Sequence, residues 1–300
     1  MLVDLVQVST TDGVRLHGAL EPVAGESAVP RSSAGRAVDV WLCLHGTGSN
    51  FYSASTLAGL APKLVEGGAA VLRANTRGHD LVCTGPSAMG RAWQGAAFER
   101  IDEAPLDIAA WVAFLRERGF ERVGMLGHSL GAIKAIYTLA SPNTLKIAAL
   151  VAVSPPHLSY AYFCTTPRAD LFKQTLELAQ QHVDAGRPDE LMKVMFPLPY
   201  YVTAAGYVDR YGPGERYDVL KFVNRMPCPT LVTYGTKEVQ SDAAFRGMPE
   251  AVDQLAAKAT NLQGAVIAGA DHQYTACHDA LAERINLWAK RPQKVGQGLP

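Results

Sequence analysis

The sequence predicts an α/β fold, a mostly parallel sheet with helices on both faces, interrupted by one largely helical insertion. Three observations carry this. Short apolar runs alternate with segments of helical period along most of the chain, as expected where crossover helices join parallel strands. The rhythm stops across residues 157–226 and then resumes. The 300 residues are 48% hydrophobic and only 19% charged, enough to bury one large core and too apolar for disorder.

The elements follow in order. Residues 5–8 and 14–20 flank Asp12-Gly13 with roughly alternating apolar positions, which predicts a β-hairpin. Residues 21–37, rich in Gly, Pro, Ser and Ala, read as a loop. Residues 38–44 form the first buried strand, 56–66 a helix, and 69–74 the second buried strand. A helix is expected over 107–118, with Ile108, Trp111, Val112 and Leu115 on one face. Strand 122–126 runs into Gly127-His128-Ser129-Leu130-Gly131, and helix 132–139 leaves it. Strand 147–153 stops at Ser154-Pro155-Pro156. Beyond the insertion come strand 230–234, helix 251–257, strand 264–267 and helix 280–289. The expected organisation is therefore a core of residues 1–156 and 227–300 with a mostly helical lid over 157–226.

Charge and composition narrow the function. The chain has 28 basic and 28 acidic residues, so no field recruits nucleic acid or an anionic membrane. No apolar run is long enough to span a bilayer. The first ten residues, MLVDLVQVST, lack the pattern of a signal peptide, and a cytoplasmic protein is expected. Cys43, Cys83, Cys164, Cys228 and Cys277 are odd in number and widely spaced, fitting reduced thiols better than a disulfide framework or a zinc site. No phosphate-binding glycine motif stands in a strand–helix context. The expected partner is a small-molecule substrate, with no cofactor and no metal; a homodimer is only a prior.

The chemistry begins at Ser129. A Gly-x-Ser-x-Gly pentapeptide between a strand and a helix exposes its serine on a sharp turn, where the flanking glycines avoid clashes. His45-Gly46-Thr47-Gly48 follows the first buried strand, from which a backbone N–H can face such a serine. The amides of Thr47 and Leu130 are the expected oxyanion donors, and His45 itself is expected to anchor its loop. A general base belongs after the last strand. His272, in Gly269-Ala270-Asp271-His272, fits better than His278, which lies toward the closing helix. The orienting acid belongs after strand 230–234, where two carboxylates compete. Glu238 is preferred and Asp242 is the alternative.

The order Ser129, Glu238, His272, with His-Gly-x-Gly upstream, resembles the α/β-hydrolase superfamily. Residues 73–80, Arg-Ala-Asn-Thr-Arg-Gly-His-Asp, are similar to a segment of its lidded esterases, lipases and serine aminopeptidases. The resemblance covers residues 1–156 and 227–300. It implies an eight-stranded, mostly parallel sheet and a cofactor-independent hydrolase, without selecting a substrate.

The insertion carries Tyr160, Tyr162, Phe163, Phe196, Tyr200, Tyr201, Tyr207 and Tyr211. Of these, Tyr160, Phe163, Tyr200 and Tyr201 are the expected substrate contacts, against the alternative that the rings only pack the lid. The expected activity is cleavage of an ester, thioester, lactone or amide through an acyl-enzyme on Ser129. The same triad would also serve a carbon–carbon hydrolase or an acyltransferase. A ligand-binding protein with negligible turnover is the alternative of another class.

Overall fold

A computed structural model describes residues 3–23 and 37–290. The loop expected over 21–37 lies mostly outside the described residues. In chain order the strands are β1 (Asp4–Ser9), β2 (Arg15–Glu21), β3 (Val40–Leu44), β4 (Ala70–Ala74), β5 (Cys83–Ser87), β6 (Gly90–Gln94), β7 (Val123–His128), β8 (Ala149–Val153), β9 (Leu191–Val194), β10 (Tyr200–Thr203), β11 (Thr230–Gly235) and β12 (Leu262–Ile267). The α-helices are α1 (Thr56–Glu66), α2 (Ala104–Glu117), α3 (Leu130–Ala140), α4 (Tyr160–Phe163), α5 (Ala169–Asp184), α6 (Ala204–Tyr211), α7 (Thr236–Ser241), α8 (Met248–Ala256) and α9 (His278–Ala289).

Eight strands form the central sheet in the order β1-β2-β4-β3-β7-β8-β11-β12. The β1–β2 and β2–β4 pairs are antiparallel and every later pair is parallel. β3 shows why its sequence is a continuous apolar run. Val40, Leu42 and Leu44 face a core shared with Ile108, Trp111 and Ile133 of α2 and α3. Trp41 and Cys43 face the opposite core, with Leu60 and Leu64 of α1 and Ile285 and Trp288 of α9. A strand covered on both faces has no solvent side, so it loses the alternation of a half-exposed strand.

The segment between β8 and β11 is more mixed than its sequence suggests. Besides α4, α5 and α6 it contains an antiparallel ribbon, β9 paired with β10. Both strands are four residues long, too short to show a two-residue period against the surrounding aromatic residues. A second ribbon, β5–β6, leaves the core after β4 and was likewise not signalled by the sequence. No described helix is long and apolar enough to cross a membrane.

Parallel topology sends the β3, β7, β8, β11 and β12 chain ends to one edge of the sheet. Ligands of open α/β sheets bind along that edge. The segments that follow these strands carry His45–Thr47, Ser129, Ser154, Glu238 and His272.

Candidate active site

Ser129 lies between the last residue of β7 and the first of α3 at φ 56° and ψ −122°. That left-handed φ is strained for a residue with a side chain and is maintained by packing. The flanking glycines are required sterically. A Cβ on Gly127 would come within 2.3 Å of the Gly131 carbonyl oxygen, and one on Gly131 within 2.1 Å of the Leu44 carbonyl oxygen. Helix and strand therefore approach at backbone contact, and the serine is pushed outward at their junction.

The Ser129 hydroxyl donates to His272 Nε2 at 3.1 Å, and His272 Nδ1–H donates to Glu238 Oε2 at 2.7 Å. Glu238 is buried. Its other oxygen accepts from the Gly235 N–H at 2.6 Å and from Ser154 Oγ at 2.5 Å. Glu238 sits in the first turn of α7 rather than in the loop the sequence suggests, and this turn brings its carboxylate back over Gly235. Asp242, the alternative acid, caps the end of α7. Its carboxylate accepts the Ala244 N–H at 2.9 Å, and it makes no hydrogen bond to His272.

Three residues that the sequence reading did not select complete this arrangement. Ser154 bonds to Tyr274 Oη at 3.0 Å, and Tyr274 reaches Thr233 Oγ1 at 3.2 Å. Burial and the nearby Glu238 charge push the Tyr274 phenol up, so it stays protonated beside the carboxylate network. Ser154 and Tyr274 have φ of 50° and 54°, so they join Ser129 in the left-handed region. His128 is the third. It packs its ring 4.8 Å from the His272 ring and donates Nε2–H to the His272 carbonyl at 2.8 Å. Its place within the pentapeptide was the available signal; the contact depends on where residue 272 returns.

His45 anchors its loop as its sequence position suggests. Nδ1–H donates to the Gly46 carbonyl at 2.9 Å, and Nε2 accepts the Thr76 N–H at 3.1 Å. The polar run after β4 holds the same region from outside. Asn75 accepts the Phe51 N–H at 2.9 Å, and Arg77 pairs with the buried Asp107 at 2.9 Å. Gly46 is thereby pressed against Ser129, where an added Cβ would lie 3.0 Å from the serine Cβ. Thr47 and Leu130 both line the cavity in front of Ser129. Leu130 opens α3, so its N–H has no intrahelical acceptor. His278, the competing base, starts α9 and packs its ring against Gly59 of α1.

The two buried rings carry a pH dependence. Burial, aided by the Lys134 charge for His45 and by His272 for His128, pushes both imidazoles down to about 3 from 6.5. Between these values the unfolded chain binds a proton at each ring and the folded chain does not. Their contribution is therefore fully present above the unfolded value and is lost as pH falls toward the folded one. Each adds a slope of about 1.4 kcal/mol per pH unit across that window. Urea unfolding of His45→Gln between pH 4 and 6 should show a slope shallower by about that amount; an identical slope would contradict the assignment.

The cavity holding Ser129, His272, Thr47 and Leu130 has a volume of about 210 Å³. Its apolar wall comes from Leu158, Pro197, Leu198, Phe245 and Tyr211. None of the four aromatic residues expected from the sequence lines it. Phe163 is buried in a ring cluster with Phe172 and Phe196, at centroid distances of 5.5 and 5.0 Å, and Tyr160 packs at a tilt against Phe172 at 5.8 Å. On β10 the strand alternation turns Tyr200 inward to a hydrogen bond and leaves Tyr201 47% exposed. Among the described residues, no group of His, Cys, Asp and Glu side chains is placed to hold a metal ion. The described cysteines are all free.

Residues 41–284 match the model of a family described as the alpha/beta hydrolase family. The chain belongs to that family. No curated protein matches it by sequence. Solved structures share its fold at low identity. An esterase of Pyrococcus furiosus, PF2001, is 18% identical over 97% of this chain and 92% of its own, with a TM-score of 0.60. Est1E from Butyrivibrio proteoclasticus, solved with ferulic acid bound, is 18% identical over 94% of this chain and 97% of its own, at 0.63. The α/β hydrolase GrgF from Penicillium sp. sh18 is 14% identical over 98% and 99%, at 0.69. At such identities this hydrolase-family member shares a fold with them, and its chemistry must be argued from its own residues.

Proposed function

We propose that this α/β hydrolase is a serine esterase that cleaves carboxylic esters of moderate size through an acyl-enzyme on Ser129. The carrying observation is the continuous relay from Ser129 Oγ through His272 to the buried Glu238. With Nδ1–H directed at the carboxylate, His272 presents its unprotonated Nε2 to the serine. It takes the Ser129 proton as Oγ attacks the ester carbonyl, then returns it to the departing alcohol. Glu238 holds the tautomer and stabilises the imidazolium that forms between these events. The Thr47 and Leu130 amides hold the oxyanion, each worth about 3–4 kcal/mol in the transition state. A water then repeats the sequence on the acyl-enzyme and frees the acid.

The cavity supports a partly apolar substrate, with Leu158, Leu198 and Phe245 offering area to an acyl or alcohol chain. The esterases among the structures sharing this fold are consistent with an ester over an amide. A fluorophosphonate probe tests the reading. The folded protein should gain one covalent adduct, mapped by mass spectrometry to the peptide containing Ser129. No adduct, or one on another residue, would overturn it.

A further inference from the structure

Behind the cavity wall lies a polar chain that the proposed ester cleavage does not use. Arg210 of α6 is 2% exposed and donates Nη1–H to Tyr200 Oη at 3.1 Å. Tyr200 donates its hydroxyl proton to Tyr211 Oη at 3.3 Å. The guanidinium has donors only, and the Tyr200 hydroxyl donates onward, so Tyr211 Oη accepts a hydrogen bond. Its own O–H has no acceptor among the described residues. Tyr211 lines the cavity that contains Ser129. Burial pushes its phenol well above the ordinary range, which keeps it a donor.

The charge behind this chain is one-sided. Glu99, 1% exposed, is the carboxylate facing Arg210, at 3.9 Å, and it is shared with Lys134, which is fully buried and ion-paired to its other oxygen. The buried Asp107 is itself paired with Arg77. Two cations thus face one carboxylate behind the tyrosines. In so dry a setting this polarises the hydroxyl chain toward the cavity. A buried donor without a partner is costly, and a ligand oxygen is the group that would satisfy it.

We propose that Tyr211 is a specificity-determining residue: its hydroxyl donates to an acceptor oxygen that the substrate carries away from the scissile carbonyl, so the cavity selects oxygenated esters over alkyl esters of the same length. That the bound ester is then cleaved rests on the proposed function; the binding preference does not.

The test compares para-nitrophenyl levulinate and its longer keto-acid homologues with the alkyl esters of equal length. Each kcat/KM is divided by the ester's spontaneous hydrolysis rate. At the matching length the keto ester should be favoured about tenfold, the worth of one buried hydrogen bond. The ratio should fall to about one in Tyr211→Phe and by about threefold in Tyr200→Phe, which breaks the donor chain. The exposed Tyr201→Phe should keep the wild-type ratio. Methyl hemiesters of dicarboxylic acids form a second arm. A larger preference there assigns the natural acceptor to a carboxylate, and a smaller one to a neutral oxygen. Absence of preference in both arms at every length overturns the proposal, as does an unchanged ratio in Tyr211→Phe or, if that variant does not fold, in Tyr200→Phe. Should no ester be turned over, the proposed cleavage fails separately. The methyl esters of the same pairs, titrated calorimetrically into Ser129→Ala, then decide the preference from the ratio of Kd values.

Discussion

Ser129→Ala is expected to lower ester turnover about a millionfold, to the level left by binding and the oxyanion donors. The size follows from how the groups work together. His272 has no proton to move once the hydroxyl is gone, so the loss includes the contribution of the base. The fold should be little affected, because the hydroxyl bonds only to His272 and the backbone strain at φ 56° remains. Single-turnover kinetics with a chromogenic ester, alongside thermal unfolding, measures both. A variant that keeps more than about a hundredth of wild-type activity would move the nucleophile elsewhere.

Glu238→Gln is expected to cost about 10⁴-fold in kcat near neutral pH, with KM little changed. The amide can still accept from the Ser154 hydroxyl and the Gly235 N–H through its oxygen. Its NH2 then faces His272 Nδ1, where the carboxylate had accepted the Nδ1–H hydrogen bond. The ring must turn its acceptor nitrogen toward the amide and its N–H toward Ser129, so it cannot take the serine proton. Asp242→Asn should stay within about twofold, because Asp242 bonds to the Ala244 amide and its replacement keeps that oxygen. Steady-state kinetics of the two variants separates them. A large loss in Asp242→Asn with a small one in Glu238→Gln would exchange their roles.

The acid shows where sequence reasoning reached its limit. The sequence favoured Glu238 and kept Asp242 as the alternative, because two carboxylates four residues apart cannot be separated physically until the local backbone is known. Residues 236–241 wind into a helix, and its first turn places Glu238 over Gly235 while Asp242 emerges at the far end. Chain order pointed to Ser129 and His272, because each follows a short apolar run, and the structure brings the two within hydrogen-bond distance. The same order could not place Ser154 or Tyr274. They meet Glu238 only because β8, β11 and the loop after β12 come together at one sheet edge.

The insertion was the least legible part. Its aromatic residues are plain in composition, but composition is silent on direction. Phe163 turned into a ring cluster and Tyr201 into solvent, whereas Leu198 and Tyr211 reached the cavity. A four-residue strand set the directions of Tyr200 and Tyr201, and strands so short leave no periodic trace.

By itself, then, the sequence determined the layered α/β architecture and the strained turn at Ser129. Burial on both faces of the sheet and backbone contact between Gly131 and Leu44 impose local residue patterns that survive without knowledge of distant partners. The tertiary structure alone decided which carboxylate faces His272, what supports that pair, and which rings wall the cavity. These depend on side chains distant in the chain, 34 residues apart for Glu238 and His272 and 84 for Ser154 and Glu238, meeting within hydrogen-bond distance, and no local pattern encodes such a meeting.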